Sequence, residues 1–284
     1  MANVLKGKEV VAAMKEKLIA DVEALGAKGV TPTLGIIRIG ERPDDISYEK
    51  GATKRCAEVG VAFKQYLLPE TATQDDLLKV IDEVNNDKNV HGVLLFRPLP
   101  KGMDDATVRR ALAPETDIDG ITDLSLAGVF THTELGFAPC TAQACIEIID
   151  HFGIDVKGKN AVVIGRSLVI GKPVAQMLLA KNATVTTVHT KSNDMAGICS
   201  KADIIIAAAG KAGIVGPEFA APGQTIIDVA MNWDDEKGKF VGDVNFDAVE
   251  PIVENITPVP GGVGAVTNLV LVKHVVEAAK RTLK

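Results

Sequence analysis

At 284 residues the chain exceeds the size at which a single hydrophobic core keeps growing, so two domains of ordinary size are expected. A hydrophobic share of 46% with 24% charged residues excludes a disordered chain, and a net charge of −6 excludes a surface built to attract nucleic acid or anionic lipid. Any anionic ligand therefore has to be held by a local site.

Residues 1–17 mix charge with apolar residues at helical spacing and contain no uninterrupted apolar stretch for secretion or membrane insertion, which points to a cytoplasmic protein without a membrane partner. An apolar run at 33–39 reads as a buried strand. It is followed by a helix at 47–59, a strand at 63–68, a helix at 74–85, a strand at 90–96 and a helix at 105–112. This alternation predicts a parallel sheet with helices packed on it. A helix at 142–152, capped by Thr141 and ended by Gly153, connects to a second series. That series comprises a strand at 161–164, a helix at 173–181, a strand at 184–189, a short helix at 195–200 and strands at 203–208 and 225–229. The fold class is α/β with two domains. Residues 1–140, joined by a C-terminal helix at 266–284, form the first, and residues 141–265 form a second, Rossmann-like one. The cysteines Cys56, Cys140, Cys145 and Cys199 lack zinc-site spacing and read as buried free thiols, and no metal site is expected.

The segment Gly165-Arg166-Ser167, followed by Gly171, carries a buried strand through a glycine turn into a helix. Glycine lets backbone approach a pyrophosphate, and a helix N-terminus offers amide hydrogens to it. The spacing is not that of the usual dinucleotide fingerprint, and a strand-Gly-helix passage is also ordinary α/β packing. The end of the next strand sharpens the reading. NAD sites place a carboxylate there for the ribose, whereas this chain has His189-Thr190-Lys191-Ser192. With Arg166 and Lys191 nearby, the pattern favours the 2′-phosphate of NADP. Gly165, Arg166, Ser167, Gly171, Thr190, Ser192 and Gly210 are the expected cofactor residues.

Several segments in a fixed order carry a resemblance. They are Ile39-Gly40-Glu41-Arg42-Pro43 with Ser47-Tyr48, Arg97-Pro98-Leu99-Pro100, Thr116-Asp117-Ile118-Asp119-Gly120, Pro139-Cys140-Thr141, the Gly165 loop, Gly242-Asp243-Val244, and the run from Thr257 to Gly264. Together they resemble the bifunctional methylenetetrahydrofolate dehydrogenase/cyclohydrolase family over nearly the whole chain. The resemblance implies a reduced folate substrate bound between two domains, NADP as cofactor, oxidation of methylenetetrahydrofolate to its methenyl form, often a following hydrolysis to formyltetrahydrofolate, and a homodimer. Asp119 matches the family aspartate that binds the pterin, and Tyr48 matches the active-site tyrosine; these two are the candidate catalytic residues. Tyr48, Phe96, Asp119, Pro260 and Gly261 are the candidate substrate contacts, the last two in a turn whose glycines allow close approach to flat rings and whose prolines stiffen it. A cis proline fits that turn.

The chain departs from the family at two linked positions. Four residues after Tyr48, on the same helical face, the family lysine is replaced by Ala52, and the glutamine before the Pro-Leu-Pro turn is replaced by Phe96. Lys50 and Lys54 point elsewhere at about 100° per residue. The lysine serves mainly the hydrolytic step, which manages proton transfers, so the cyclohydrolase is expected to be lost or weakened. Arg97 is a candidate to replace a lost polar contact or to bind a substrate carboxylate. Further departures are Ala142, Ile121-Thr122-Asp123 and Ala265. Alternatives are a fully bifunctional enzyme, an enzyme of this fold acting on another reduced pterin, and a cofactor-binding module without catalysis.

Overall fold

The structure is a computed structural model and describes residues 1–235 and 238–283. In chain order the elements are β1 (Asn3–Val4), α1 (Gly7–Gly26), β2 (Thr33–Ile39), α2 (Pro43–Val59), β3 (Ala62–Leu68), α3 (Gln74–Asn86), β4 (Gly92–Leu95), α4 (Asp105–Ala111), α5 (Asp123–Thr131) and α6 (Cys140–His151). Then follow β5 (Asn160–Ile164), α7 (Gly171–Ala180), β6 (Thr184–Val188), α8 (Met195–Cys199), β7 (Ile204–Ala207), a 3-10 turn (Pro217–Phe219) and β8 (Thr225–Asp228). The last are β9 (Asn232–Asp234), β10 (Lys239–Val241), α9 (Phe246–Val249), β11 (Asn255–Ile256) and α10 (Val263–Arg281).

These elements form two compact units, one of residues 1–12 with 141–267 and one of residues 13–140 with 268 onward. The first holds a six-stranded sheet in the order β1-β11-β8-β7-β5-β6, parallel throughout. Its central strands are apolar along their length because helices cover both faces of a parallel sheet, and Val162, Ile164, Ile205 and Ile226 meet in one core. The second holds a three-stranded parallel sheet, β3-β2-β4, with Ile37, Leu77, Ile81, Val93 and Leu95 in its core. Among the described residues no helix is long and apolar enough to cross a membrane.

Two readings from sequence are corrected, and one helix went unread. Residues 1–12, assigned by sequence to the first domain, belong to the six-stranded unit, because β1 pairs with β11 and Leu5 N donates to Ile256 O at 2.8 Å. Helix α2 begins at Pro43 rather than 47, since proline at the first helical position loses no hydrogen bond and Asp44 and Asp45 suit the positive helix end. Helix α5 carried no recognisable stripe because Leu124 and Phe130 face solvent, at 52% and 68% exposure; Thr122 caps it by accepting from Ser125 N. All four cysteines are free and buried.

Candidate active site

In the six-stranded unit β5 lies between β6 and β7, so successive connections leave it in opposite directions. This is the topological switch point at which open α/β sheets bind ligands beyond the strand carboxyl ends. Gly165 stands there with φ 129°, and a Cβ on it would lie 2.2 Å from Ala208 O, at the end of β7. Only glycine fits this crossing of two loops. A Cβ on Gly171 would likewise meet Gly165 O at 2.4 Å, so α7 starts directly on the glycine peptide. Ser167 Oγ accepts from Ile170 N at 3.1 Å and Gly171 N at 3.4 Å. The expectation of free amides at this helix end is thereby corrected: the serine occupies two of them and keeps its hydroxyl hydrogen to donate. Arg166 is exposed and makes no ion pair among the described residues.

After β6, a tight turn is closed by Ser192 N donating to His189 O at 2.7 Å and His189 N donating to Ser192 Oγ at 3.0 Å. Thr190 and Lys191 are exposed on it, and no carboxylate lies within residues 189–192. The loop after β7 is held by a carboxylate to which sequence reasoning gave no role. Asp243, fully buried, accepts from Ala209 N, from Gly210 N at 3.0 Å, from Lys211 N at 2.7 Å and from Asn232 Nδ2 at 3.1 Å. Asp228 in turn accepts from Asp243 N and Val244 N, both at 3.0 Å. Burial, with Asp243 close by, pushes the Asp228 carboxyl up to about 7 despite those amides. Thr257 Oγ1 accepts from Asp228 N at 2.7 Å and so ties in the turn that follows β11, where Val259–Pro260 is cis. Pro260 and Gly261 are exposed there, and Gly261 O accepts from Gly7 N at 2.9 Å. A pocket of about 420 Å³ is bounded by Pro258, Pro260, Asp228, Gly242 and Phe240.

The three-stranded unit brings together Tyr48, Phe96 and Asp119. Tyr48 on α2 meets Phe96 edge-on, with ring centroids 5.9 Å apart. Burial and the nearby Asp119 and Cys140 raise the Tyr48 hydroxyl far above its ordinary range, so it stays protonated. Asp119 sits in the turn ended by Gly120, whose φ of 66° and approach to Pro139 N exclude a side chain. Its neighbour Asp117 is the structural one, accepting from Ile121 N, Thr122 N and Ser125 Oγ at 3.0, 2.8 and 2.6 Å. Burial first and Asp117 second push the Asp119 carboxyl up to about 7, while Cys140 and Arg97 pull the other way. Cys140 Sγ donates to Ile118 O at 3.2 Å, and burial holds this thiol protonated.

Ala52, one turn beyond Tyr48, is fully buried, and Lys50 and Lys54 are exposed. Arg97, a candidate from sequence to replace a lost polar contact or bind a substrate carboxylate, has its guanidinium in a two-pronged contact with Asp105, both distances 2.6 Å, and Arg109 joins the same carboxylate at 3.0 Å. A pair missed from sequence fixes α2 to the sheet. Arg38 Nε donates to Glu49 Oε2 at 2.7 Å with both side chains 9% exposed, and Gln65 donates to the other oxygen. An arginine inside the apolar run of β2 was its signal, since a buried charge requires a partner. Pro260 and Gly261, expected from sequence as substrate contacts alongside Tyr48, lie in the six-stranded unit. No cluster of three or more metal-ligating side chains exists among the described residues.

The switch-point glycine loop and the separate tyrosine–aspartate site define a dinucleotide-binding α/β protein with a second, side-chain-rich unit. Two family models match the chain: the NAD(P)-binding domain of tetrahydrofolate dehydrogenase/cyclohydrolase over residues 139–283 and the catalytic domain of the same family over residues 5–119. The bifunctional protein FolD of Carboxydothermus hydrogenoformans is 47% identical over 281 residues, covering 99% of this chain and 98% of that protein. Among solved structures, the bifunctional FolD of Campylobacter jejuni superposes with a TM-score of 0.95 at 35% identity, covering 99% of this chain and 100% of the other. The Trypanosoma brucei methylenetetrahydrofolate dehydrogenase-cyclohydrolase, solved with NADP and an inhibitor, gives 0.92 at 33% identity, covering 100% and 99%. The chain belongs to the tetrahydrofolate dehydrogenase/cyclohydrolase family.

Proposed function

We propose that this protein is an NADP-dependent methylenetetrahydrofolate dehydrogenase of the cytoplasm in which the cyclohydrolase step is lost or strongly weakened. The observation that carries the second half is the fully buried Ala52 on the Tyr48 face of α2, with apolar Phe96 against the same ring. No cation is available at that position for the proton transfers of hydrolysis.

Hydride transfer asks less of the side chains. The carbon–hydrogen bond of the methylene bridge breaks, the electron pair leaves with the hydrogen, and the cation left behind is shared by the two folate nitrogens. Orientation supplies much of the rate, and no general base is required. Asp119 accepts the paired hydrogen bonds of an aminopyrimidine edge in its ionised form, and Tyr48 and Phe96 give the flat ring an aromatic wall. Bound on the Gly165 loop, NADP supplies the hydride acceptor. Gly165 and Gly171, which leave no room for a side chain, let the backbone pass close to its pyrophosphate, with the Ser167 hydroxyl as a donor beside them. Exposed Arg166 with Ser167, Thr190, Lys191 and Ser192 suits its 2′-phosphate. A homodimer accompanies this reading through family resemblance, and light scattering of the purified protein tests it.

The enzymatic test is to supply methenyltetrahydrofolate directly. NADP reduction on methylenetetrahydrofolate should be readily measured, while the methenyl compound should disappear at its uncatalysed rate. Catalysed hydrolysis matching the dehydrogenase rate would refute the claim.

A further inference from the structure

Asn268 lies on α10, in the stretch that belongs to the three-stranded unit. Its Oδ1 is buried and has no hydrogen-bond partner, and it alone among the described residues is in that state. Leaving an amide oxygen unpaired in this way destabilises the fold, and a leucine of similar outline would avoid that cost. The residue as a whole is only partly buried although this oxygen is enclosed. Its Nδ2 stands 3.3 Å from where a Cβ on Gly51 would lie, so the carboxamide occupies space that a side chain at position 51 would contest.

Gly51 follows Tyr48 by three residues and precedes Ala52 by one. At helical spacing all three share one face of α2. Ala52 brings no polar group to that face, and the carboxamide seated on Gly51 does. A reduced folate offers two neutral acceptors beside flat rings, the pterin carbonyl and the benzamide carbonyl, and an amide donor next to a tyrosine suits either.

We propose that Asn268 is a substrate-binding, specificity-determining residue of this chain, its carboxamide donating a hydrogen bond to a carbonyl oxygen of the bound reduced folate. The inference rests on the dehydrogenase reading and deepens it. The enclosed Oδ1, an acceptor, stays unpaired when a ligand carbonyl is bound, so what asparagine offers over leucine is its amide nitrogen, a donor placed for ligand rather than for the fold.

The test compares Asn268→Leu and Asn268→Asp with the parent enzyme in methylenetetrahydrofolate-dependent NADP reduction, with NADP affinity and Tm measured alongside. The leucine variant should raise the folate KM about tenfold, the equivalent of one neutral hydrogen bond. It should leave NADP affinity unchanged and raise Tm by about 2–4 °C. The aspartate variant keeps the outline, lacks the donor and should show the same KM defect. An unchanged folate KM in the leucine variant, or a rise accompanied by lower Tm and weaker NADP binding, overturns the proposal. If the parent enzyme itself fails to reduce NADP with this substrate, the dehydrogenase reading falls instead, so the two failures are distinguishable.

Discussion

The two units build their candidate sites by different means. In the six-stranded unit backbone does the positioning: Gly165 and Gly171 allow peptides to meet, and Asp243 gathers three consecutive amides to hold the Gly210 loop. In the three-stranded unit side chains do it, with Tyr48, Phe96 and Asp119 set on regular elements and their neighbours. A backbone site tolerates change at most side chains but none at its glycines. A side-chain site can lose one reaction and keep another by exchanging a single residue, which is the change proposed for Ala52.

The largest effect is expected where backbone alone is at stake. Gly165→Ala places a methyl group 2.2 Å from Ala208 O at a φ of 129°. It should weaken NADP binding by about a hundredfold or more, the equivalent of roughly 3 kcal/mol of strain. Folate binding should persist, as titration of each ligand separately would report. Loss of both affinities in equal measure would erase the distinction between the units.

An intermediate effect is expected at Asp119. Its carboxyl titrates at about 7, so the acceptor form grows as pH rises through that value, and kcat/KM for the folate should climb toward a plateau above it. Asp119→Asn should lower kcat/KM about tenfold and remove that limb. Stability carries the opposite sign. A folded-state pKa above the unfolded value of 3.8 means that the native protein binds the extra proton, so stability falls as pH rises from about 4 to 7. The asparagine variant should therefore gain in Tm over the parent at pH 8 but not at pH 4. A pH profile identical in parent and variant would remove Asp119 from substrate recognition.

The smallest effect concerns the choice of cofactor. Arg166→Ala removes one exposed charge-assisted contact and should weaken NADP about threefold to tenfold with little change for NAD. Equal weakening of both would take Arg166 away from the 2′-phosphate.

The alternation of apolar runs made the two parallel sheets readable in sequence, because strands buried on both faces are apolar along their whole length. The short pieces β1 and β11 were not readable. Two residues carry no period, and it is their pairing that moves residues 1–12 into the six-stranded unit. At the sites, Gly165 and Tyr48 stood out through motif. The clamp of Asp243, the Arg38–Glu49 pair and the carboxamide of Asn268 did not, because each is defined by a partner 11 to 217 residues away that only the folded chain supplies. For Arg97 the reverse held: it was a candidate contact from sequence, and its guanidinium pairs with Asp105 in the fold.

The most direct measurement follows reduced nicotinamide and the methenyl compound together in one reaction started with methylenetetrahydrofolate and NADP. The two signals should rise in step, one methenyl group accumulating per hydride transferred. A methenyl signal that stays flat while formyltetrahydrofolate appears as fast as NADPH would mean that the chain still hydrolyses its own product.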